Sequence, residues 1–161
     1  MQNRPRTLTA ILATPPLSTS GARTLARVEM ARDLVGASSV KICNLLNVAT
    51  NDVLEVRTVG ADVAAWQLSR QGIRTALANA SDVLLAWGVE PTGRARQHHR
   101  TQVAWVMHLI AAQEMDAWVV GAQPRHPSRW QRYTSRAHSG LSFSSALELS
   151  LGKVAPDFRF D

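Results

Sequence analysis

Along this chain, short runs of apolar residues alternate with longer stretches in which the apolar residues have helical spacing. Four runs are apolar almost throughout, as is typical of strands in a parallel sheet that is buried on both faces: residues 7–12, 38–46, 81–88 and 116–122. Between them, three stretches place apolar side chains on one helical face, at residues 20–36, 62–79 and 93–113. Strands separated by helices of this length predict right-handed crossovers.

This order of elements predicts a single α/β domain over residues 1–161, built as a three-layer α/β/α sandwich with a short, mainly parallel four-stranded sheet. The core is expected at about residues 7–132, and residues 133–161 are expected to form a further helix and a partly ordered tail. Ligands of open parallel sheets bind outside the carboxyl ends of the strands. The loops after the four strands are therefore the expected functional edge.

The charge of the chain indicates what kind of partner it binds. The net charge is +6, the sequence pI is about 11.0, and 16 of the 18 basic residues are arginine. Arginine suits bidentate phosphate contacts and stacking on bases, so nucleic acid is the expected partner. A GC-rich genome is the alternative source of this bias. No apolar run has the length of a membrane span or of a signal peptide, and a cytoplasmic location is expected.

The common signatures of metal and cofactor chemistry are absent from the sequence. His98 and His99 are adjacent and point apart on a predicted helix, and no cysteine or acidic partner has ligand spacing with them or with His108. The chain has no G-x-S-x-G, Walker or G-x-G-x-x-G motif. The lone Cys43 lies in an apolar run, where a buried thiol is expected. We therefore expect no metal and no cofactor.

The first three loops of the expected edge offer polar and aromatic groups. The loop after residues 7–12 carries prolines and hydroxyls, among them Thr14 and Pro15, and suits an anion as well as it suits an ordinary strand end. In the other two loops, amides, a carboxylate and an indole could read or stack on a base, although the same residue types form turns and cores: Asn44, Asn47, Asp52, Trp87 and Gly88.

The fourth loop, PRHPSRW at residues 124–130, is the most unusual. Pro124 and Pro127 restrict the backbone on either side of His126, and Ser128 can cap the following helix. A histidine in a turn is often merely solvated, but the restricted backbone and strand-end position favour a functional role. The loop also supplies two candidates for phosphate contacts, Arg125 and Arg129, and Arg132 follows about one helical turn later as a third.

Together these motifs resemble the bacterial and phage family called domain of unknown function 1643. Its members read approximately N-P-S, N-L-F, A-W-G and R-H-P in this order, and the resemblance runs from about residue 7 to about residue 130. The last two motifs match closely, whereas the first reads T-P-P here. That family in turn resembles the uracil-DNA glycosylase superfamily, which implies a fold of that type and a base-flipping hydrolase of DNA repair.

The resemblance implies roles for individual residues. Asn44 would contact the edge of an extruded base, and His126 would stabilise negative charge on the base as the N-glycosidic bond breaks. Pro127 and Ser128 would contact the flanking DNA backbone. Trp87 belongs to the A-W-G motif, which the superfamily also carries as a W-G.

The first loop departs from the family, because Thr14 and Pro15 stand where the family has N-P and no acidic residue accompanies them. If Thr14 replaces the group that positions water, the reaction would be slow or would need another base, such as Asp52. Three hypotheses follow: a DNA glycosylase acting on a modified pyrimidine, a module of the same fold that binds nucleic acid or nucleotide without cleavage, and an enzyme of free nucleosides or nucleotides.

Overall fold

The computed structural model describes residues 4–155 and 157–160. Within this range the chain forms five strands: β1 (Thr7–Leu12), β2 (Ser39–Asn44), β3 (Asp82–Leu85), β4 (Asp116–Val120) and β5 (Leu151–Val154). It also forms six α-helices: α1 (Ala22–Val35), α2 (Val53–Val59), α3 (Val63–Ala78), α4 (Arg94–Ala112), α5 (Trp130–Ala137) and α6 (Phe143–Ser150). A 3-10 turn, Pro127–Arg129, precedes α5 directly.

The sheet has the order β2-β1-β3-β4-β5. Strands β1 to β4 are parallel to one another, whereas β5 runs antiparallel to β4. The sheet is therefore mixed and has one strand more than the sequence pattern predicts. The extra strand follows α6 without an intervening residue and is only partly buried, so its four residues carry no clear apolar signal.

Alternate residues of the strands face two separate cores, so the sheet is covered on both sides. On one side the strands pack against α3 and α4, through residues that include Ile11, Val83, Leu85, Ile73, Leu77, Val106 and Ile110. On the other side they pack against α1, α5 and α6, through residues that include Leu8, Ala10, Leu84, Val28, Trp130 and Leu147. These apolar faces explain why the strands read as apolar throughout.

Helix α2 was not expected, since the sequence pattern assigns its residues to a loop. It begins at Asp52, whose side chain accepts a hydrogen bond from the backbone N–H of Glu55. The carboxylate of Glu55 in turn accepts from the backbone N–H of Asn51, 2.7 Å away. These two hydrogen bonds stabilise the start of a helix of only seven residues, which is too short to show helical periodicity.

Residues 133–161 contain most of α5, all of α6 and β5, in place of the single helix and tail that the sequence suggests. Strands β2 and β3 end at Asn44 and Leu85, earlier than predicted, although the backbone N–H groups of Leu45 and Ala86 still donate to β1. Across the described helices, none combines the length and apolar character that a membrane crossing requires.

Candidate functional site

A large cleft lies at the carboxyl ends of the four parallel strands, with a cavity volume of about 1480 Å³. Each strand contributes to its lining through the loop that follows it, with Thr14 after β1, Asp52 after β2, Trp87 after β3 and His126 after β4. One face of α4 forms a further wall. The cleft therefore lies at the edge where ligands of parallel sheets bind.

The A-W-G and P-R-H-P loops are in direct contact inside this cleft. The backbone N–H of Gly88 donates to the carbonyl oxygen of Pro124 at 2.7 Å. Gly88 has a φ of +76°, and a Cβ added there would lie 3.1 Å from the Cβ of His126. Glycine is thus needed both for its backbone conformation and for the close approach of the histidine.

The ring of His126 is held in one tautomer. Its Nδ1 atom accepts a hydrogen bond from the backbone N–H of Ser128 at 3.2 Å and lies 2.8 Å from the Ser128 hydroxyl. A backbone N–H can only donate, so the proton of the neutral ring is assigned to Nε2. Burial, reinforced by the charges of Arg129 and Arg27, lowers the pKa of His126. At neutral pH this cleft-lining imidazole is therefore uncharged, with its one N–H donor assigned to Nε2.

The turn that carries His126 is fixed from both sides. Arg27 of α1 donates to the carbonyl oxygen of Pro127 at 2.7 Å and to Oε1 of Gln131 at 3.2 Å. The indole of Trp130, fully buried in the core, donates to the carbonyl oxygen of Arg125 at 2.9 Å. These bonds hold the imidazole in place before any ligand arrives. The Pro127 residue is buried, whereas Ser128 is exposed.

The structure brings two of the three candidate arginines to the cleft. Arg129 lines it and is exposed, while Arg132 is exposed on α5 outside its lining. Arg125 also lines the cleft, but its guanidinium stacks over the ring of Tyr133 at 4.0 Å from the centroid. Of the three, Arg129 is therefore the side chain best placed to meet a phosphate at the cleft.

The first two loops are tied to each other. The hydroxyl groups of Thr14 and Thr50 share a hydrogen bond, and the backbone N–H of Thr50 donates to the carbonyl oxygen of Pro15 at 3.0 Å. Thr14 lines the cleft, as does Asp52, whose carboxylate caps α2. Both side chains that sequence reasoning proposed for handling water are thus already engaged in local hydrogen bonds.

Asn44 and Asn47 do not join His126. They line a separate pocket of about 200 Å³ beside Ser69 and Gly72 of α3. Strand β2 is one of the two edge strands of the sheet and packs next to α3, which explains this placement. The side-chain oxygen of Asn44 is buried there without a hydrogen-bond partner among the described residues. The sequence motif does not reveal that its strand lies at the sheet edge.

Two polar side chains that sequence reasoning did not assign to this site also line the cleft. Glu90 accepts hydrogen bonds from Arg96 and, at 3.1 Å, from Arg100. Burial opposes ionisation of Glu90, but the hydrogen bonds and charges of Arg100 and Arg96 outweigh it, and the pKa of Glu90 is lowered. The second residue is His99 of α4.

His99 is only 5% exposed, and neither of its ring nitrogens has a hydrogen-bond partner within the described part of the chain. Its ring meets the edge of Trp66 with centroids 6.0 Å apart. Burial lowers the pKa of His99 to about 4, with Glu90 opposing the shift and Arg100 adding to it. Each buried polar group without a partner costs roughly 1–3 kcal/mol. A signal existed in the sequence, since His99 precedes the apolar Val103 and Met107 at helical spacing.

An aromatic contact closes one part of the cleft. Trp87 is 3% exposed and meets the ring of Phe160 edge to face, with centroids 5.9 Å apart. Phe158 packs against Phe160 in turn, at 5.0 Å. Residues 157–160 therefore form part of the lining, although sequence reasoning assigned them to a partly ordered tail. Across residues 4–155 and 157–160, no group of three or more metal-ligating side chains comes together.

The four loops of this cleft fall within one family model. The model described as "Protein of unknown function (DUF1643)" matches residues 6–128, which is most of the chain. The chain belongs to this family. No curated protein and no solved structure matches it. The resemblance to domain of unknown function 1643 that the sequence motifs indicate is thereby confirmed.

The DUF1643 region supplies β1 to β4, α1 to α4 and the loop with His126. Helices α5 and α6, strand β5 and residues 157–160 follow the matched region. The DUF1643 region thus holds Arg27, Gly88, His126 and Ser128, whereas Arg129 and the aromatic cover over Trp87 come from the following segment.

Proposed function

We propose that this DUF1643 protein is a DNA glycosylase-like protein of the uracil-DNA glycosylase fold. It holds an extruded or modified pyrimidine base in the cleft and cleaves the N-glycosidic bond of that base. The observation that carries the proposal is the hydrogen bond from the backbone N–H of Ser128 to Nδ1 of His126, which assigns the ring proton of this cleft-lining residue to Nε2.

The chemistry uses this donor where charge develops. The leaving base acquires negative charge on its carbonyl oxygen as the glycosidic bond breaks, and a preorganised N–H donor stabilises that charge more than it stabilises the neutral base. Arg27 holds the turn, and the positive charges of Arg27 and Arg129 near the ring favour the same anion. The lowered pKa of His126 favours the uncharged form of the ring, in which Nδ1 accepts from Ser128 and the single proton is assigned to Nε2.

Nucleic acid is the proposed partner because the cleft is large and basic residues line it. A volume of about 1480 Å³ exceeds the roughly 300–1,000 Å³ of typical small-molecule sites. Arg129 lies exposed on the lining, where it can contact the phosphates that flank an extruded base. This favours a polymer over free nucleosides or nucleotides.

A second function, base binding without cleavage, is favoured by the state of the hydroxyl and carboxylate groups in the cleft. Thr14 is bonded to Thr50, Asp52 caps α2, and Glu90 is bonded to two arginines. Hydrolysis needs a water that one of these groups positions or activates. If none of them is released on binding, the protein retains the base without cutting it.

The test is base release from labelled oligonucleotides that carry uracil, 5-hydroxymethyluracil or other modified pyrimidines. We expect wild type to release a base and His126→Ala to lose at least about a hundredfold in rate, as expected for loss of an oxyanion-type donor. Ser128→Ala removes the hydroxyl beside Nδ1 and is expected to give a smaller loss.

His138→Ala is the matched control, because this half-buried histidine follows α5 and does not line the cleft. Base release that survives in His126→Ala would contradict the proposed mechanism. Salt-sensitive binding of base-bearing oligonucleotides without release would support the second function.

A further inference from the structure

His99 buries two polar atoms that nothing in the described chain satisfies. Both ring nitrogens are inaccessible to solvent and neither has a hydrogen-bond partner among residues 4–155 and 157–160. A neutral imidazole has one N–H donor and one acceptor nitrogen, so both capacities are unused. Buried polar groups in folded proteins are nearly always paired, and an exception calls for an explanation.

Packing alone does not account for an imidazole at this position. The ring meets the edge of Trp66, with an interplanar angle of 89°. Phenylalanine would make the same kind of contact without burying unpaired nitrogens. The polar atoms therefore act against the stability of the free protein, which is typical of a group that meets its partner only when a ligand is bound.

His99 belongs to the same cleft as His126. The loop after β3 contacts the surroundings of both, because the backbone N–H of Gly88 donates to the carbonyl oxygen of Pro124, two residues before His126, and Glu90 accepts a hydrogen bond from Arg100, the neighbour of His99 on α4. His99 and His126 both line the cleft. The lining of this cleft thus carries two imidazoles, one from the loop after β4 and one from α4.

We propose that His99 is a specificity-determining residue, whose imidazole hydrogen-bonds to the polar edge of the nucleobase that the cleft holds. The inference rests on the proposed function, since it requires the base to enter this cleft. The ligand class is a planar heterocycle that carries amide-type donors and acceptors, as pyrimidine bases do. Because the ring is nearly covered, this contact requires part of the cleft lining to move aside when the base enters.

The experiment compares His99→Phe with wild type on oligonucleotides that differ only at one nucleotide. One carries uracil and one carries 5-hydroxymethyluracil, each on a 2′-fluorinated sugar that resists cleavage, and the third carries a tetrahydrofuran abasic analogue. We expect wild type to prefer at least one base-bearing oligonucleotide. We expect His99→Phe to reduce this preference about five- to tenfold, which corresponds to the loss of one hydrogen bond.

The stability of the variant separates a ligand role from a structural one. Because His99→Phe removes two unpaired polar atoms, its thermal unfolding temperature is expected to equal or exceed that of wild type. Its affinity for the abasic oligonucleotide is expected to be unchanged. His98→Phe is the matched control, since His98 is half-buried and does not line the cleft.

Each outcome has a definite meaning. If wild type prefers a base and His99→Phe keeps that preference, the inference is overturned while the proposed function stands. If His99→Phe unfolds at a lower temperature and loses affinity for all three oligonucleotides, the residue is structural and the inference is again overturned. If wild type shows no preference for either base over the abasic analogue, the proposed function fails, and this inference fails with it.

Discussion

Gly88 is the residue at which two loops of the cleft touch. Both its backbone conformation and the nearby His126 restrict which residues can replace it. A φ of +76° is strained for any residue with a side chain, and an added Cβ would approach the Cβ of His126 to 3.1 Å. We expect Gly88→Ala to lower the free energy of unfolding by about 1–2 kcal/mol and to displace His126. Urea denaturation and the base-release or base-binding assay measure the two effects.

Gly140 provides a control for the backbone contribution. It has a φ of +85°, and a Cβ there would meet no atom within 4 Å. Gly140→Ala is therefore expected to show a comparable loss of stability with unchanged function. Equal functional loss in both variants would show that the contact with His126 is not the cause.

At the scale of elements, the stability of α2 depends on the carboxylate of Asp52. This side chain caps the helix by accepting from the backbone N–H of Glu55 at 3.0 Å. Asp52→Ala is expected to cost about 1 kcal/mol in the free energy of unfolding, whereas Asp52→Asn keeps a capping oxygen and is expected to cost only a few tenths. Chemical denaturation compares the two variants.

The same pair of variants addresses catalysis. If Asp52 serves the fold alone, Asp52→Asn keeps most of the activity of wild type. If Asp52→Asn loses nucleobase release at nearly unchanged stability, this carboxylate is instead identified as the general base. Asp62→Ala is a matched control, because Asp62 caps α3 in the same way and does not line the cleft.

The helices and strands differ in how well the sequence predicts them. Strands β1 to β4 and helices α1, α3 and α4 are long or strongly apolar, so periodicity predicts them to within a few residues. Helix α2 is stabilised by its cap, and β5 by pairing with β4, and neither interaction appears in an apolar pattern. Sequence motifs likewise located the four loops of the cleft.

What the motifs could not supply is the direction of individual side chains, which depends on the assembled molecule. The placement of Asn44 follows from β2 lying at the sheet edge next to α3, and the position of the buried His99 on the cleft lining follows from how α4 packs. The cover over Trp87 comes from Phe160, more than seventy residues along the chain. Contacts of this range follow from tertiary structure and leave no local signal.

For the whole molecule, the net charge of +6 predicts binding to nucleic acid that weakens as salt rises. The position of each arginine decides its share of this effect. Arg129 lies on the lining of the cleft and Arg132 lies outside it, although both are exposed and only three residues apart. We expect Arg129→Ala to weaken oligonucleotide binding across sequences and to reduce the salt slope by about 1, as for loss of one phosphate contact. Arg132→Ala is expected to leave both unchanged. Fluorescence anisotropy at several salt concentrations measures affinity and slope together, and equal losses in the two variants would place the bound strand across α5 and outside the cleft.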